Sequence, residues 1–376
     1  MNPLSHLNPI EQSICDKADL NKIPISGNIE LLPLCNMDCK MCFAKMTKQE
    51  MEAHSPMHNY EEWLSVAKQM SDAGTVFLLL TGGEPFLYPN FKKLYLGLKK
   101  MGFVVSINTN GTLINEEIAD YLASDPPRRL NITLYGTSNE TYAKLCGNPI
   151  GFTQVMNAVK ILKERNIAIK FNCSATPFNI DEIEDIYKIG HELNIPVETA
   201  YYMTPAIRKN NIKNKEYRLS PQRASEVKLL VKYLTYGEDV FKEYVKATLD
   251  RYKDLKNTKY EYKPGFTCRA GHSVFWINYD GTMTACSFTK KPQYNIFKKD
   301  FISCWNDLIS EVSKTYLSKE CNDCDLKTLC TRCAASAYAE TGKYDGTTEY
   351  HCELTKNYLK LLKQKAKEYK LYENKF

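Results

Sequence analysis

The chain has 376 residues, 43% of them hydrophobic and 25% charged, with a formal net charge of +6 at pH 7. These values are ordinary for a globular protein large enough for two domains, and so mild a charge does not indicate a nucleic-acid partner. No stretch reaches the roughly 18 consecutive apolar residues of a membrane span, and the first residues carry no apolar run typical of a signal peptide. The composition therefore predicts a cytoplasmic protein without a membrane or nucleic-acid partner.

Short apolar runs alternate with amphipathic segments from residue 28 to residue 201. The predicted strands are IELLPL, TVFLLL, FVVSIN, RLNITLY, IAIKFNC and PVETAYY. The predicted helices between them are Tyr60–Ala73, Phe91–Met101, Glu116–Ala123, Phe152–Arg165 and Ile180–Leu193. Near-continuous apolar strands separated by helices indicate a parallel sheet. Six such repeats predict an α/β fold, a partial (β/α)6 TIM-like barrel over residues 28–205.

The rest of the chain divides by composition. Residues 1–27 form an N-terminal segment, and residues 206–267 a basic helical linker region with Ser220 as N-cap and Pro221 in the first helical position. Between residues 206 and 264 there are 15 Lys and Arg against 8 Asp and Glu, so this part is either a solvated helical face or a docking surface for an acidic peptide or protein. Residues 268–352 are rich in cysteine, with a hairpin predicted around Asp280 and Gly281, and residues 353–376 form a C-terminal helix.

Fourteen cysteines in a cytoplasmic chain argue for metal or cluster ligation, because thiols stay reduced in that compartment. Three of them lie close together, at Cys35, Cys39 and Cys42. Eight more fall in the last third of the chain: Cys268, Cys286, Cys304, Cys321, Cys324, Cys330, Cys333 and Cys352. The remaining three, Cys15, Cys146 and Cys173, are interpreted as packing residues.

The first three cysteines follow the first predicted strand, and the sequence TGGEP follows the second. Parallel barrels place their chemistry in loops at the carboxyl ends of the strands. A structural zinc site normally closes with four ligands, whereas a cubane iron–sulfur cluster can leave one iron without a protein ligand. The three-cysteine loop therefore favours a cluster with one open position.

The spacing C-x3-C-x2-C, the GGEP loop and the six βα repeats together resemble the radical SAM enzymes, over Ile29 to about Tyr201. The resemblance implies that Cys35, Cys39 and Cys42 hold a [4Fe–4S] cluster whose fourth iron binds S-adenosyl-L-methionine. One-electron reduction then gives a 5′-deoxyadenosyl radical.

The same resemblance implies cofactor-binding residues. Gly82, Gly83 and Glu84 would meet the methionine amino group, and a glycine pair lets backbone approach a ligand closely. Asn108, Asn110 and Thr133 lie where the family contacts ribose or methionine, although a turn or solvent-facing role is equally open for each. Met41 stands where the family usually has an aromatic residue against adenine, a role a thioether can also fill, with Phe43 nearby.

The last third of the chain resembles the SPASM extension of peptide-modifying radical SAM enzymes. Cys268, Gly281 and Cys286 fit the first part of that pattern, and Cys333 comes one residue early in the second part. The resemblance implies two auxiliary [4Fe–4S] clusters, one held by Cys268, Cys286 and Cys333, and one by Cys321, Cys324, Cys330 and Cys352. The alternative is a structural zinc ribbon built from Cys321, Cys324, Cys330 and Cys333.

The first auxiliary set has three cysteines where sulfatase-maturating relatives have four. Either Cys304 supplies the fourth ligand or the iron is open to substrate, with His272 as a further candidate because histidine can ligate iron. His54, His58 and His272 are all interpreted as surface or packing residues, with His272 as the exception to consider. No catalytic acid or base is assigned, since nothing local distinguishes Tyr135, Tyr202 and Asp280 from hydrogen-bonded structural residues.

The resemblance implies an oxidoreductase that modifies a peptide or protein, in the maturation of a ribosomally made peptide (RiPP) by a thioether or carbon–carbon crosslink. It also implies an external electron donor such as flavodoxin or ferredoxin. Only some 27 residues precede the first predicted strand, so leader recognition is expected from the basic segment or a separate leader-binding protein. The alternatives are a formylglycine-generating sulfatase maturase, cofactor biosynthesis on a small molecule, and a non-catalytic iron–sulfur or zinc-stabilised binding protein.

Overall fold

The computed structural model describes residues 7–205, 208, 217–255 and 265–372. In these residues nine strands form one sheet in the order β6-β5-β4-β3-β2-β1-β7-β8-β9. The bounds are β1 Ser26–Glu30, β2 Phe77–Thr81, β3 Val104–Thr109, β4 Arg129–Thr133, β5 Ile169–Ser174, β6 Val197–Ala200, β7 Val274–Ile277, β8 Thr282–Thr284 and β9 Tyr294–Asn295. Strands β1 to β6 are parallel and in chain order. The predicted α/β fold with a partial barrel is confirmed.

Helices alternate with the six barrel strands and then continue through the C-terminal third. Their bounds are α1 Pro9–Leu20, α2 Lys48–His54, α3 Tyr60–Asp72, α4 Phe91–Lys100, α5 Glu116–Ser124, α6 Asn139–Cys146, α7 Gly151–Glu164, α8 Ile183–Glu192, α9 Pro221–Leu255, α10 Phe301–Val312, α11 Lys319–Asn322, α12 Ala334–Thr341 and α13 Glu349–Glu368. Short 3-10 turns cover Pro85–Leu87 and Ile180–Glu182. Among the described helices, none is long and apolar enough to cross a membrane.

The first strand lies earlier than its apolar run predicts. It covers Ser26–Glu30, whereas the stretch from Leu31 to Leu34 belongs to the loop that follows. Every residue of β1 is buried because the strand lies between β2 and β7. Gly27 has no side chain because a Cβ there would collide with the ring of Phe275 on β7. Close packing of neighbours, and not hydrophobicity, therefore determines this strand.

The C-terminal third joins the barrel through its sheet. Strand β7 pairs in parallel with β1, and β8 turns back antiparallel to it through Gly281, which has a φ of +79°. The predicted hairpin around Asp280 and Gly281 is present. As a result the cysteines that flank this hairpin are attached to the same sheet as the three-cysteine loop.

Two long helices pack together outside the barrel. Helix α9 starts at Pro221 as predicted, Ser220 Oγ accepts from the Arg223 amide at 3.3 Å, and Gly237 breaks the helix at a φ of +70°. Helix α13 packs on α9 and begins at Glu349 rather than at the predicted Glu353, so Cys352 lies in its first turn. Residues 206–207, 209–216 and 256–264 of the predicted basic region lie outside the described residues.

Candidate functional site

The three-cysteine loop lies between the end of β1 and the end of α6. The Asp38 amide donates to the carbonyl of Cys146 at 2.8 Å, and the Lys40 amide donates to the carbonyl of Leu145 at 3.0 Å. These carbonyls are among the four that an α-helix leaves unpaired at its carboxyl end. The loop is therefore fixed by backbone hydrogen bonds, independently of what its thiols bind.

We call Cys35, Cys39 and Cys42 the loop group. Burial raises the pKa of the Cys35 thiol to about 12, with smaller contributions from Glu84 and from the other two cysteines, so the three thiols lie near one another. Amide groups point at the sulfurs: Met37 N lies 3.4 Å from Cys35 Sγ, and Lys45 N lies 3.3 Å from Cys42 Sγ. Soft thiolates with N–H donors suit an iron–sulfur cluster, whose potential responds to such hydrogen bonds. The residues present fit this cofactor.

Two residues beside the loop group, Cys146 and the acid–base candidate Tyr135, were not predicted from the sequence to contact a cluster ligand. The pKa of the Cys39 thiol is lowered, first by a hydrogen bond from Cys146 and also by one from the Tyr135 hydroxyl, against the effect of burial. The same hydrogen bond and burial raise the pKa of Cys146. Cys146 is fully buried, as expected of a packing residue, and it also donates to a predicted ligand. Because Cys146 is far from Cys39 along the chain, the sequence pattern could not predict this contact.

The glycine pair of TGGEP packs against the three-cysteine loop. The Gly83 amide donates to the Leu32 carbonyl at 2.7 Å, and the Glu84 amide donates to the Leu34 carbonyl at 2.8 Å. A Cβ on either Gly82 or Gly83 would collide with these carbonyls. The two glycines are therefore needed so that the backbone of the TGGEP loop can approach another segment closely, as the sequence indicates. In this structure that segment is the backbone at Leu32 and Leu34, just before the three-cysteine loop.

The Glu84 side chain points inwards. Its carboxylate is fully buried and accepts from Thr109 Oγ1 at 2.8 Å, the Asn110 amide at 2.8 Å and the Phe86 amide at 3.2 Å. Burial raises its pKa to about 7, and these three hydrogen bonds act in the opposite direction. Glu84 therefore connects the carboxyl ends of β2 and β3. Thr109 was not predicted.

The other predicted cofactor residues divide into two sets. Asn110 lies beside the loop group, where its Nδ2 donates to Asn36 Oδ1 at 2.8 Å and to Cys35 Sγ at 3.6 Å. Asn108 and Thr133 are half-buried on β3 and β4, and Asn108 Oδ1 accepts from Asn131 at 2.7 Å. Met41 is 7% exposed and packs in the main hydrophobic core. Asn110 is thus hydrogen-bonded directly to a predicted cluster ligand.

A second three-cysteine set, which we call the hairpin group, comprises Cys268, Cys286 and Cys333. Burial raises the pKa of Cys286 to about 12, with further contributions from Cys333 and Cys268, and Cys333 also raises the pKa of Cys268. Cys268 precedes β7, Cys286 follows β8, and Cys333 is the N-cap of α12. Three separate segments therefore bring these thiols together.

The remaining predicted ligands form what we call the helix group: Cys321, Cys324, Cys330 and Cys352. The pKa of Cys352 is raised by burial and then by Cys321, Cys330 and Cys324, whereas Cys333 acts on Cys268 and Cys286. The zinc ribbon considered from the sequence would need Cys333 in this group. In the described ranges, no three His, Cys, Asp or Glu side chains are close enough together to hold a single metal ion.

Neither candidate for a fourth ligand lies with the hairpin group. Cys304 is fully buried on α10, and its thiol donates to the carbonyls of Asn295 and Lys299 at 3.7 and 3.6 Å. His272 Nδ1 lies 2.9 Å from Lys22 Nζ, and burial and Lys22 lower its pKa. In the described part of the chain, the hairpin group therefore has three thiols.

Aromatic contacts connect the loop group with the C-terminal third. Phe43 follows Cys42, and its ring centroid lies 5.3 Å from that of Phe288, two residues after Cys286. His58 stacks on Phe297 at 3.5 Å. His54 Nε2 lies 2.9 Å from Asp280 Oδ2, so the two histidines expected to be surface or packing residues join the halves of the molecule.

Two of the acid–base candidates have structural partners. Asp280 pairs with His54 and accepts from the Thr282 amide at 2.9 Å within the hairpin turn. Tyr202 donates to Glu340 Oε1 at 2.8 Å. Tyr135 is the candidate that contacts the loop group.

A buried ion pair closes the end of β1. Arg208 Nη1 donates to Glu30 Oε1 at 2.6 Å and to the Ala44 carbonyl at 2.8 Å, and Glu30 is 2% exposed. This pair connects the chain after β6 with β1 and with the segment beyond Cys42. One charge of the predicted basic segment is therefore used internally.

Comparisons with known proteins agree with this geometry. A family model described as the radical SAM superfamily matches residues 29–190. The AdoMet-dependent heme synthase of Methanosarcina barkeri is 23% identical, over 84% of this chain and 92% of that protein. The antilisterial bacteriocin subtilosin biosynthesis protein AlbA of Bacillus subtilis is 24% identical, over 76% of this chain and 60% of that protein.

The fold is also similar to a solved structure. Streptococcus suis SuiB bound to the precursor peptide SuiA has a TM-score of 0.66 and 18% identity, covering 92% of this chain and 82% of that one. This similarity extends well beyond the residues of the family match, so it includes the cysteine-rich C-terminal third as well as the barrel.

Proposed function

We propose that this chain, which is a radical SAM enzyme dependent on S-adenosylmethionine and a [4Fe–4S] cluster, modifies a peptide or protein substrate in the maturation of a ribosomally made peptide. The modification is a thioether or carbon–carbon crosslink. The observation that carries the proposal is the hairpin group, three neighbouring thiols with no fourth thiol from Cys304, whose thiol donates to backbone carbonyls instead. The non-catalytic alternative is not retained, because the family consists of enzymes.

The loop group would hold the cluster that the family requires, which supplies one-electron cleavage of S-adenosylmethionine. Its backbone clamp fixes the three thiols, and the Asn110 amide group donates to Cys35. Glu84 is buried against β3, so we assign it to holding Asn110 in place, with the backbone around Gly82 and Gly83 left to meet the methionine amino group. Tyr135 and Cys146 stabilise negative charge on Cys39.

The hairpin and helix groups would hold two auxiliary [4Fe–4S] clusters, which makes three in all. Thiolates in this number and arrangement favour iron–sulfur ligation. Three thiols leave one position for a ligand from the substrate, and a thiolate bound to iron is deprotonated and fixed in orientation. This arrangement suits a substrate cysteine that becomes a thioether.

The experiment uses anaerobically reconstituted protein and a short cysteine-containing peptide as the probe. The peptide should change the electron paramagnetic resonance spectrum of one auxiliary cluster in the parent and in Cys304→Ala, but not in Cys333→Ala. Unchanged spectra in the parent, together with loss of one cluster in Cys304→Ala, would show that Cys304 closes the site. That outcome would favour the formylglycine-generating alternative, which requires a closed first auxiliary cluster.

A second candidate is cofactor biosynthesis on a small molecule of the tetrapyrrole class. It is favoured by the alignment with the heme synthase, which covers the barrel and the cysteine region alike. Optical titration with an iron porphyrin distinguishes the two. Saturable binding that the cysteine-containing peptide does not displace would support the tetrapyrrole substrate.

Two partners complete the proposal. An external donor such as flavodoxin or ferredoxin supplies electrons to the clusters. Leader recognition is assigned to the basic segment or to a separate leader-binding protein.

A further inference from the structure

Lys228 is a buried cation on α9, and within the described residues its ammonium contacts a carbonyl and two aromatic rings. The residue is 6% exposed. The ammonium donates to the Leu329 carbonyl at 3.2 Å and lies 4.0 Å from the ring centroid of Tyr358 and 5.6 Å from that of Tyr201. Lysine is almost never this buried unless its charge is balanced.

No carboxylate in the described ranges lies within ion-pair distance of Lys228 Nζ. Burial lowers its pKa to about 8, Lys232 on the same helix acts in the same direction, and Cys330 acts against both. From α13, His351 faces it, and the pKa of His351 is itself lowered to about 4, first by burial. Aromatic faces offset only part of the cost of burying an ammonium. The site is therefore built for a positive charge whose counterion must come from elsewhere.

The acidic group whose charge acts on Lys228 is the Cys330 thiol of the helix group. Leu329, which accepts the ammonium hydrogen bond, directly precedes Cys330, and Tyr358 lies on the same helix as Cys352. A [4Fe–4S] cluster with four thiolate ligands carries a net negative charge, and reduction adds one further negative charge. Its potential depends on net charge, hydrogen bonding and exposure. Such a cluster would be the missing counterion of Lys228.

We propose that Lys228 is a positioning residue for the cluster of the helix group, whose buried ammonium stabilises the reduced form and so raises its midpoint potential. The step is the uptake of one electron from an external reductant, without proton transfer or a change in bonding. The inference rests on the proposed function, because that proposal assigns a cluster to Cys321, Cys324, Cys330 and Cys352. It adds a residue for which the cysteine pattern gives no signal.

The test replaces Lys228 with Met, which keeps an unbranched side chain without the charge. The control is Lys232→Met, which removes the same charge one turn further along α9, and Lys228→Arg keeps the charge. The readouts are iron content and the midpoint potential of the helix-group cluster, from dithionite titration followed by electron paramagnetic resonance. The signal is assigned as the one that Cys352→Ala loses.

Lys228→Met should shift this midpoint to lower potential, or lose about one cluster's iron if the uncompensated charge prevents assembly. Lys232→Met and Lys228→Arg should behave like the parent. An unchanged midpoint in Lys228→Met, or equal loss of iron in the Met and Arg variants, would overturn the role of the charge alone. If the parent protein binds only about four irons, enough for one cluster, the auxiliary-cluster assignment itself is wrong. Iron content therefore distinguishes that failure from a failure of the proposed role of Lys228.

Discussion

The loop group and the hairpin group each comprise three thiols, but they are assembled in opposite ways. Cys35, Cys39 and Cys42 lie within one loop whose backbone is clamped by the end of α6. The thiols of the hairpin group come from three segments, the last being the N-cap of α12. Local spacing is therefore enough to define the first group, whereas the second exists only when the C-terminal third has folded onto the barrel.

The largest expected effect comes from breaking the local group. Cys39→Ala should reduce formation of 5′-deoxyadenosine after reduction to the assay background, because the loop group keeps only two thiols for its cluster. Chromatographic measurement of 5′-deoxyadenosine tests this. The control is Cys15→Ala, which removes a buried thiol outside the site and should keep the activity. Cleavage at the parent rate in Cys39→Ala would contradict the assignment.

Iron content tests the assembled group. The parent should hold about 12 irons per chain after anaerobic reconstitution, and Cys333→Ala should lose about four, since each cubane contains four. Cys304→Ala should lose none, because its thiol contacts carbonyls and not the hairpin group. About one zinc with about four irons in the parent would show that the C-terminal cysteines bind zinc instead.

Glu84 gives an intermediate effect that depends on pH. Its pKa in the folded protein is raised to about 7, so the unfolded chain ionises first and the parent loses stability as pH rises from the unfolded pKa through about 7. Relative to Glu84→Gln, which cannot ionise, this loss should total about 3 kcal/mol. Urea unfolding of both apoproteins at about pH 5 and about pH 8 measures it. A difference independent of pH would show that the carboxylate is already ionised in the fold.

The smallest effect on stability is expected from the contact between His54, at the end of α2, and Asp280 in the hairpin turn. His54→Ala removes the contact with Asp280, but more than half of the His54 side chain is exposed, so the free energy of unfolding should fall by less than about 1 kcal/mol. Iron content and 5′-deoxyadenosine formation should be unchanged. A clear loss of iron in this variant would mean that the hairpin group depends on the surface contact as well as on β7.

Sequence reasoning performed best where the information is local. Apolar periodicity located five of the strands and their helices within a few residues, but it placed β1 too late, because Ser26 and Gly27 are buried by their neighbours and not by their own hydrophobicity. The spacing in the three-cysteine loop was informative, whereas the approach of Cys146 to Cys39 required the structure. The location of Cys304 away from the hairpin group also depends on tertiary packing.

The pairing of β7 with β1 also constrains how the protein can be made. Ser26 lies opposite Phe77 on one side and opposite Val274 on the other. During synthesis, one edge of the first barrel strand stays open until residues 274–277 have left the ribosome, and an unpaired edge is a template for wrong pairing. A fragment that ends before β7 would retain the three-cysteine loop and the sequence of a whole family domain, yet it would expose that edge. Expression trials should therefore keep the hairpin with the barrel, whatever the boundary of the family match suggests.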